Sequence, residues 1–294
     1  MRLLRGVLTV AAIVGLGFAL QRAVQDAGAV SLPGPARLSI AALLLAVSLV
    51  TSASAWSTLL PTVGLRLAFP GFVVAQLAKY VPGSVWQGVG QVADAHRLGV
   101  ATGTASVSFL VQLALQVVAA GIASAAALMA PELPWWLRIV AILGPGSVIF
   151  VNRRWLATAL AFFARRSSRL RQADIELPSQ PTLVRGLGWS GVTIVAIGLS
   201  YASLLPTTSD PREVVGTAGV FMLAWLIGFL VVPLPAGVGV REAVLVAGLS
   251  AMHPVADVLA AAIIARLLLI VVEGVLAATG QLLRLGPKVG DGSS

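Results

Sequence analysis

The sequence predicts an all-α fold: a polytopic integral membrane helical bundle of seven to eight spans with two broken or re-entrant helix regions. Three observations point there. Of the 294 residues, 58% are hydrophobic and only 11% charged, with a mean hydropathy of +0.95, whereas a soluble domain carries about 25% charged residues. The apolar residues fall in runs of about 20, the length that crosses a hydrocarbon core. Two of those runs, in regions 67–100 and 232–254, are interrupted by proline and glycine. Little chain is left over once the spans are laid out, so 1–294 reads as a single transmembrane domain.

Composition also excludes chemistry. The net charge of +9 would suggest nucleic acid as a partner for a soluble protein, but here the basic residues flank apolar runs, and the positive-inside rule accounts for them. No cysteine is present, which removes disulfides, thiolate ligands and cysteine nucleophiles. The two histidines, His96 and His253, are far apart in sequence, so neither a metal centre nor a cofactor is expected.

Taken in order, Met1 to Val24 has the charge and apolar core of a signal peptide, with Arg2 and Arg5 ahead of the apolar run. Its length favours a retained first helix over about 6–24. A second span covers Leu38 to Leu60, rich in Ser, Thr and Ala that allow close helix approach. From Leu67 to Val100 the pattern turns irregular: a short helix from Phe72 to Tyr80, opened by Phe69-Pro70-Gly71, a break at Val81-Pro82-Gly83-Ser84, and a polar amphipathic segment from Val85 to Leu98. A third span lies within Thr104 to Met129, where Gln112 and Gln116 share a face suited to interhelical hydrogen bonds. Trp135 and Trp136 read as an interfacial anchor ahead of a fourth span from Leu137 to Val151.

The loop 152–185 holds seven arginines against Asp174 and Glu176, a net +5, and is expected on the cytoplasmic side. Trp155 to Leu170 within it reads equally as an amphipathic surface helix or a solvated basic loop. Spans five and six run from Leu187 to Leu205 and Val214 to Val231, and the last from Val255 to Leu283. Arg284 and Lys288 argue for a cytoplasmic C-terminus, so one broken region is expected to cross the membrane and give eight crossings.

Ionisable groups in such a chain are functional candidates by default. Helices starting near Val85 and Val240 would present free N–H groups and positive dipole ends to an anion. Lys79, Arg241 and Arg266 would add cationic charge, which together suits a phosphate. Arg241 and Glu242 are adjacent and point about 100° apart, so each must pair elsewhere, while Arg266 and Glu273 lie two turns apart on one helix face. Structural pairs, Arg241 with Glu273 or Glu242 with Arg266, are the alternative reading, and Lys79 alternatively snorkels to an interface. The two Pro/Gly breaks stand in similar contexts, either as paired broken helices of inverted repeats or as unrelated breaks. Gly88-Val89-Gly90 and Gly237-Val238-Gly239 lack the third glycine and lysine of a nucleotide loop.

Leu77-Ala78-Lys79-Tyr80-Val81-Pro82-Gly83-Ser84-Val85-Trp86-Gln87 and Pro233-Leu234-Pro235-Ala236-Gly237-Val238-Gly239-Val240-Arg241-Glu242 resemble the two signature stretches of the lysylphosphatidylglycerol synthase transmembrane-region family. That family includes the flippase half of multiple peptide resistance factors and stand-alone relatives. The resemblance implies movement of a phospholipid or lipid-linked headgroup across the cytoplasmic membrane by a multi-pass protein. It does not extend to an enzyme's activity, since the aminoacyl-transfer domain is missing and no catalytic constellation is found. The expected partners are membrane lipids, an anionic phospholipid or a polyprenyl-phosphate-linked substrate, with a homo-oligomer or an enzyme partner left open. Lys79 and Arg241 would hold the phosphate, with Arg266, Glu242 and Glu273 shaping or gating the cavity. Tyr80, Pro82, Gly83, Gln87, Pro235, Gly237 and Gly239 complete the expected substrate-binding set. Ser84 and Ala236 stand where glycine is common, which leaves the substrate open. A non-transporting membrane scaffold, partner of a lipid-modifying or glycosyl-transfer enzyme through the basic loop, is the alternative.

Overall fold

A computed structural model describes residues 31–80, 86–164, 175–206, 210–230 and 239–285. The expected first helix at 6–24, the breaks at 81–84 and 232–238, Arg165 to Arg171 and Lys288 lie outside the described residues. What is described is helical, with no strand among those residues. Ten helices follow one another: α1 (Pro35–Leu59), α2 (Leu65–Leu77), α3 (Trp86–Arg97), α4 (Thr102–Ala123), α5 (Trp135–Leu143), α6 (Arg153–Ala164), α7 (Gln180–Leu204), α8 (Pro211–Leu230), α9 (Val240–Leu249) and α10 (Val255–Leu285). Tighter 3₁₀ turns extend α2 over Ala78–Tyr80, α4 over Ser124–Met129 and α5 over Gly144–Phe150. Five elements are long and apolar enough to cross a membrane: α1, α4 with its extension, α7, α8 and α10. The element from Trp135 to Phe150 is apolar but shorter.

Prolines and glycines set the helix starts. Pro35 occupies the first turn of α1, where its missing N–H is an orphan anyway. Ser179 caps α7 by accepting from the Thr182 N–H at 3.3 Å. Pro70 differs from expectation. It does not open its helix but sits inside α2, which begins at Leu65, so one intrahelical hydrogen bond is lost there.

The directions of the long helices follow from their cross-contacts. Thr51 Oγ1 and Thr193 Oγ1 are 2.9 Å apart, Ser200 Oγ donates to the Ala41 carbonyl at 3.0 Å, and Arg37 Nη1 donates to the Leu205 carbonyl at 3.3 Å. Rising numbers on α1 meet falling numbers on α7, so the two run antiparallel along the most extensive seam of the fold. Ser108 Oγ donates to the Leu59 carbonyl at 2.9 Å and Gln112 Nε2 to the Ser52 carbonyl at 2.8 Å, which sets α4 antiparallel to α1. Gln116 Nε2 reaches Ser52 Oγ at 3.0 Å, so both glutamines do bind across helices. Such intramembrane hydrogen bonds average about 0.6 kcal/mol each. Ser31 N–H donates to Asp257 Oδ1 at 2.8 Å and Tyr201 O–H to the Val258 carbonyl at 2.9 Å. Those two bonds place the start of α10 beside the start of α1 and the end of α7.

Between the long helices lie two helical hairpins. In the first, Gln87 Nε2 donates to Gln76 Oε1 at 3.1 Å and Gly90 packs on Ala75, so α3 returns along α2. In the second, Gly248 packs against Val220 and His253 Nε2 stands 3.7 Å from Glu213 Oε1, so α9 returns along α8. Among the described residues, the second helix of each hairpin thus runs back along the first. The first opens at the end where α1 stops and α4 starts; the second opens at the opposite end. The order long helix, hairpin, long helix occurs twice, as α1–α4 and as α7–α10, with α1 and α7 running in opposite senses. Close approach holds the second copy to the first: a Cβ on Gly219 would stand 2.1 Å from the Ala127 nitrogen, so α8 meets the 3₁₀ extension of α4 backbone to backbone. The largest buried cluster, around Tyr201, Phe221, Leu223, Leu245 and Leu249, fills the space between α7, α8, α9 and α10.

Candidate functional site

The last helix brings the two hairpins together. With 31 residues, α10 rises about 45 Å. Arg266 sits about 16 Å past its start and Glu273 about 18 Å before its end, so both occupy its middle third. Their spacing of seven residues puts them on one side, about 10.5 Å apart.

Each charge anchors one hairpin tip. Lys79, in the 3₁₀ turn that ends α2, forms an ion pair through Nζ with Glu273 Oε1. Tyr80 O–H donates to Glu273 Oε2 at 2.9 Å. Glu273 is only 1% exposed, and both its oxygens are thus engaged by the first tip, as a buried carboxylate requires. At the second tip, Arg266 Nη2 donates to Glu242 Oε1 at 2.6 Å and the Gly239 N–H donates to Glu242 Oε2 at 2.7 Å. Gly239 has φ +86°, a left-handed conformation that suits glycine and turns its N–H back onto the first turn of α9.

Arg241 is held differently. Its guanidinium lies 4.2 Å from the centre of the Phe221 ring, which is itself stacked on Tyr201 with centroids 4.7 Å apart. None of the ion pairs among the described residues includes it. A cavity of about 40 Å³ lies here, lined by Leu45, Ser200, Phe221, Arg241, Glu242 and Arg266 among others. Two guanidinium groups face one carboxylate in it, an excess of one positive charge. At the first tip the ammonium and carboxylate balance.

Among the expected site residues, then, Lys79, Tyr80 and Glu273 meet at one tip, and Gly239, Arg241, Glu242 and Arg266 at the other. Of the two expected structural pairs, Glu242 with Arg266 forms. Arg241 with Glu273 does not, because Lys79 and Tyr80 already occupy that carboxylate. Lys79 consequently neither snorkels nor stands free. Gln87 braces the first hairpin through Gln76 rather than joining either charged tip. Pro82, Gly83, Pro235 and Gly237 lie outside the described residues. Sequence reasoning missed Phe221 and Tyr201, the stack beneath Arg241, because aromatic residues within apolar runs carry no signal of their own. It also missed the pairing of Lys79 with Glu273, 194 positions apart. Among the described residues no group of three His, Asp or Glu side chains stands together as a metal site would require.

Comparison of the chain with protein-family models and with curated proteins finds no match to either.

Proposed function

We propose that the protein moves lipids with an anionic headgroup between the leaflets of the cytoplasmic membrane. The observation that carries this reading is the meeting of two oppositely directed hairpin tips at mid-length of α10, each tied there by an ion pair. Charged groups at membrane depth are retained where they serve a pathway, and helix breaks at that depth are tolerated only inside protein or beside water. Two re-entrant hairpins entering from opposite faces would satisfy both conditions, with α1, α4, α5, α7 and α10 crossing around them. Arg241 would receive the phosphate, since it brings the uncompensated charge, while the acyl or prenyl tails stay in lipid. Lys79 and Glu273 would act as the anchor of the first tip rather than as a phosphate ligand.

The orientation follows from charge. Arg153 and Arg154 open α6, and the Arg153 N–H donates to Gln180 Oε1 at 2.9 Å, which keeps α6 beside the start of α7. That end of the bundle would be cytoplasmic, with Trp155, exposed beside Phe150, at the headgroup level. With 6–24 as a first span and both hairpins returning, six crossings would place both termini on the cytoplasmic side, which agrees with Arg284 and Lys288 in the tail.

The test is leaflet exchange of a fluorescent phosphatidylglycerol in vesicles reconstituted with wild type or Arg241→Ala. A charged contact worth about 1.5–3 kcal/mol predicts a fall in rate of about ten- to a hundredfold. Unchanged exchange by a normally folded variant refutes the role of Arg241, and no exchange above protein-free vesicles by wild type refutes transport itself.

A further inference from the structure

At the mouth of the second hairpin, away from both tips, sits an imidazole with no place for a proton. His253, in the turn joining α9 to α10, is 3% exposed, and its Nε2 has no hydrogen-bond partner among the described residues. The charged groups that act on it are Glu213 on α8 and Asp257 on α10. Glu213 Oε1 is 3.7 Å away, beyond the roughly 2.7–2.9 Å of a charge-assisted hydrogen bond. Asp257 Oδ1 is engaged by the Ser31 N–H at 2.8 Å. Glu132, Arg37, Asp210 and Arg212 belong to the same end of the bundle.

We propose that His253 is an acid-released latch: neutral and packed, it closes the mouth of the hairpin, and its protonation opens that mouth. A proton added here puts a full charge into a nearly sealed site whose nearest carboxylate is too far for a short bond. The imidazolium relieves this by leaving its packing, either toward Glu213 or toward water, and α8 then parts from the α9–α10 turn. Burial holds the imidazole below the usual histidine range, and Glu213 and Asp257 offset only part of that effect. The sign follows by linkage: with the folded-state value depressed, the closed arrangement is fully favoured above about pH 6.5 and weakens as pH falls through the folded-state value. Neither Lys79 nor any group at the tips enters this argument, and the latch does not depend on what the hairpins carry.

The chain has no cysteine, so spin labels go only where cysteines are introduced. Arg212→Cys and Ala251→Cys place labels at exposed positions on the two sides of the mouth. Electron–electron distance measurements on the full chain in lipid nanodiscs, from pH 7.5 to 5.0, read the opening. The closed distance dominates at pH 7.5, and a longer distance gains up to about tenfold in relative population per pH unit between about pH 6.5 and the folded-state value, below which the gain levels off. His253→Phe keeps the closed distance at every pH. Glu213→Gln removes a charge that favours the imidazolium in the closed site, depresses the folded-state value further and so raises the open population at pH 5.0. The proposal is overturned by a wild-type distribution that does not change with pH, by His253→Phe opening as wild type does, or by an open population at pH 5.0 that Glu213→Gln leaves in place or lowers.

Discussion

Replacing Lys79 with methionine leaves the Glu273 carboxylate with one partner, the Tyr80 hydroxyl. Glu273 is 1% exposed, so water cannot take over from the lost ammonium. Removal of one member of a buried pair costs about 3–5 kcal/mol for that reason. The reverse change is milder. In Glu273→Gln the amide oxygen still accepts from Tyr80, and Lys79, whose side chain is 29% exposed, reaches water. The expected loss is about 1–2 kcal/mol, that of a hydrogen bond to a charged group. The double variant Lys79→Met/Glu273→Gln removes both charges and leaves the Tyr80 hydroxyl an amide oxygen to donate to, and it returns to within about 2 kcal/mol of wild type. Reversible unfolding in mixed micelles measures all four proteins as one thermodynamic cycle. The asymmetry is the diagnostic part: the lysine variant must be the weaker of the two singles although lysine is the more exposed partner. The reasoning fails if Lys79→Met costs no more than Glu273→Gln, or if the double variant equals the sum of the singles within about 0.5 kcal/mol.

Phe221→Leu takes away the ring beneath Arg241 and is expected to lose about 1–2 kcal/mol, most of which Phe221→Tyr restores, as cation–π contact requires; a leucine variant as stable as the tyrosine variant counts against it. Gly219→Ala drives a methyl into the backbone at Ala126 and Ala127, which has no side-chain freedom to yield. It should cost about 3 kcal/mol in the same unfolding measurement, while Gly188→Ala on α7, with nothing within 4 Å of its Cβ position, should gain about 0.5–1 kcal/mol.

The long helices were legible because apolar length is a strong signal: α1, α7, α8 and α10 begin and end within a few residues of the hydropathy boundaries, α7 excepted, which starts seven residues early at Gln180. That early turn carries Pro181 and Arg185, polar punctuation that hydropathy alone reads as loop. The hairpins were legible only as breaks. Nothing in Gln76 and Gln87, or in Glu213 and His253, announces that the helices on either side fold back on one another, because return along the same path depends on packing against α1, α4 and α10. Of the charged residues, Glu242 and Arg266 had few other partners and their pairing was foreseeable. Lys79 with Glu273 was not, since the chain supplies several acids and only the three-dimensional path selects among them.

The opposite polarity of the two anchors on α10 has a consequence for assembly. The first hairpin offers a cation and finds an acid; the second offers an acid and finds a cation. Exchange the hairpins, and Lys79 would confront Arg266 while Glu242 confronted Glu273, two like-charge contacts in surroundings that screen neither. Slide α10 by one turn, about 5.4 Å, and both links are stretched beyond reach at once. The pair of charges thus works as a key with two differently cut teeth. It admits each hairpin from one face only, and it lets the last helix seat at a single depth, whichever hairpin docks first.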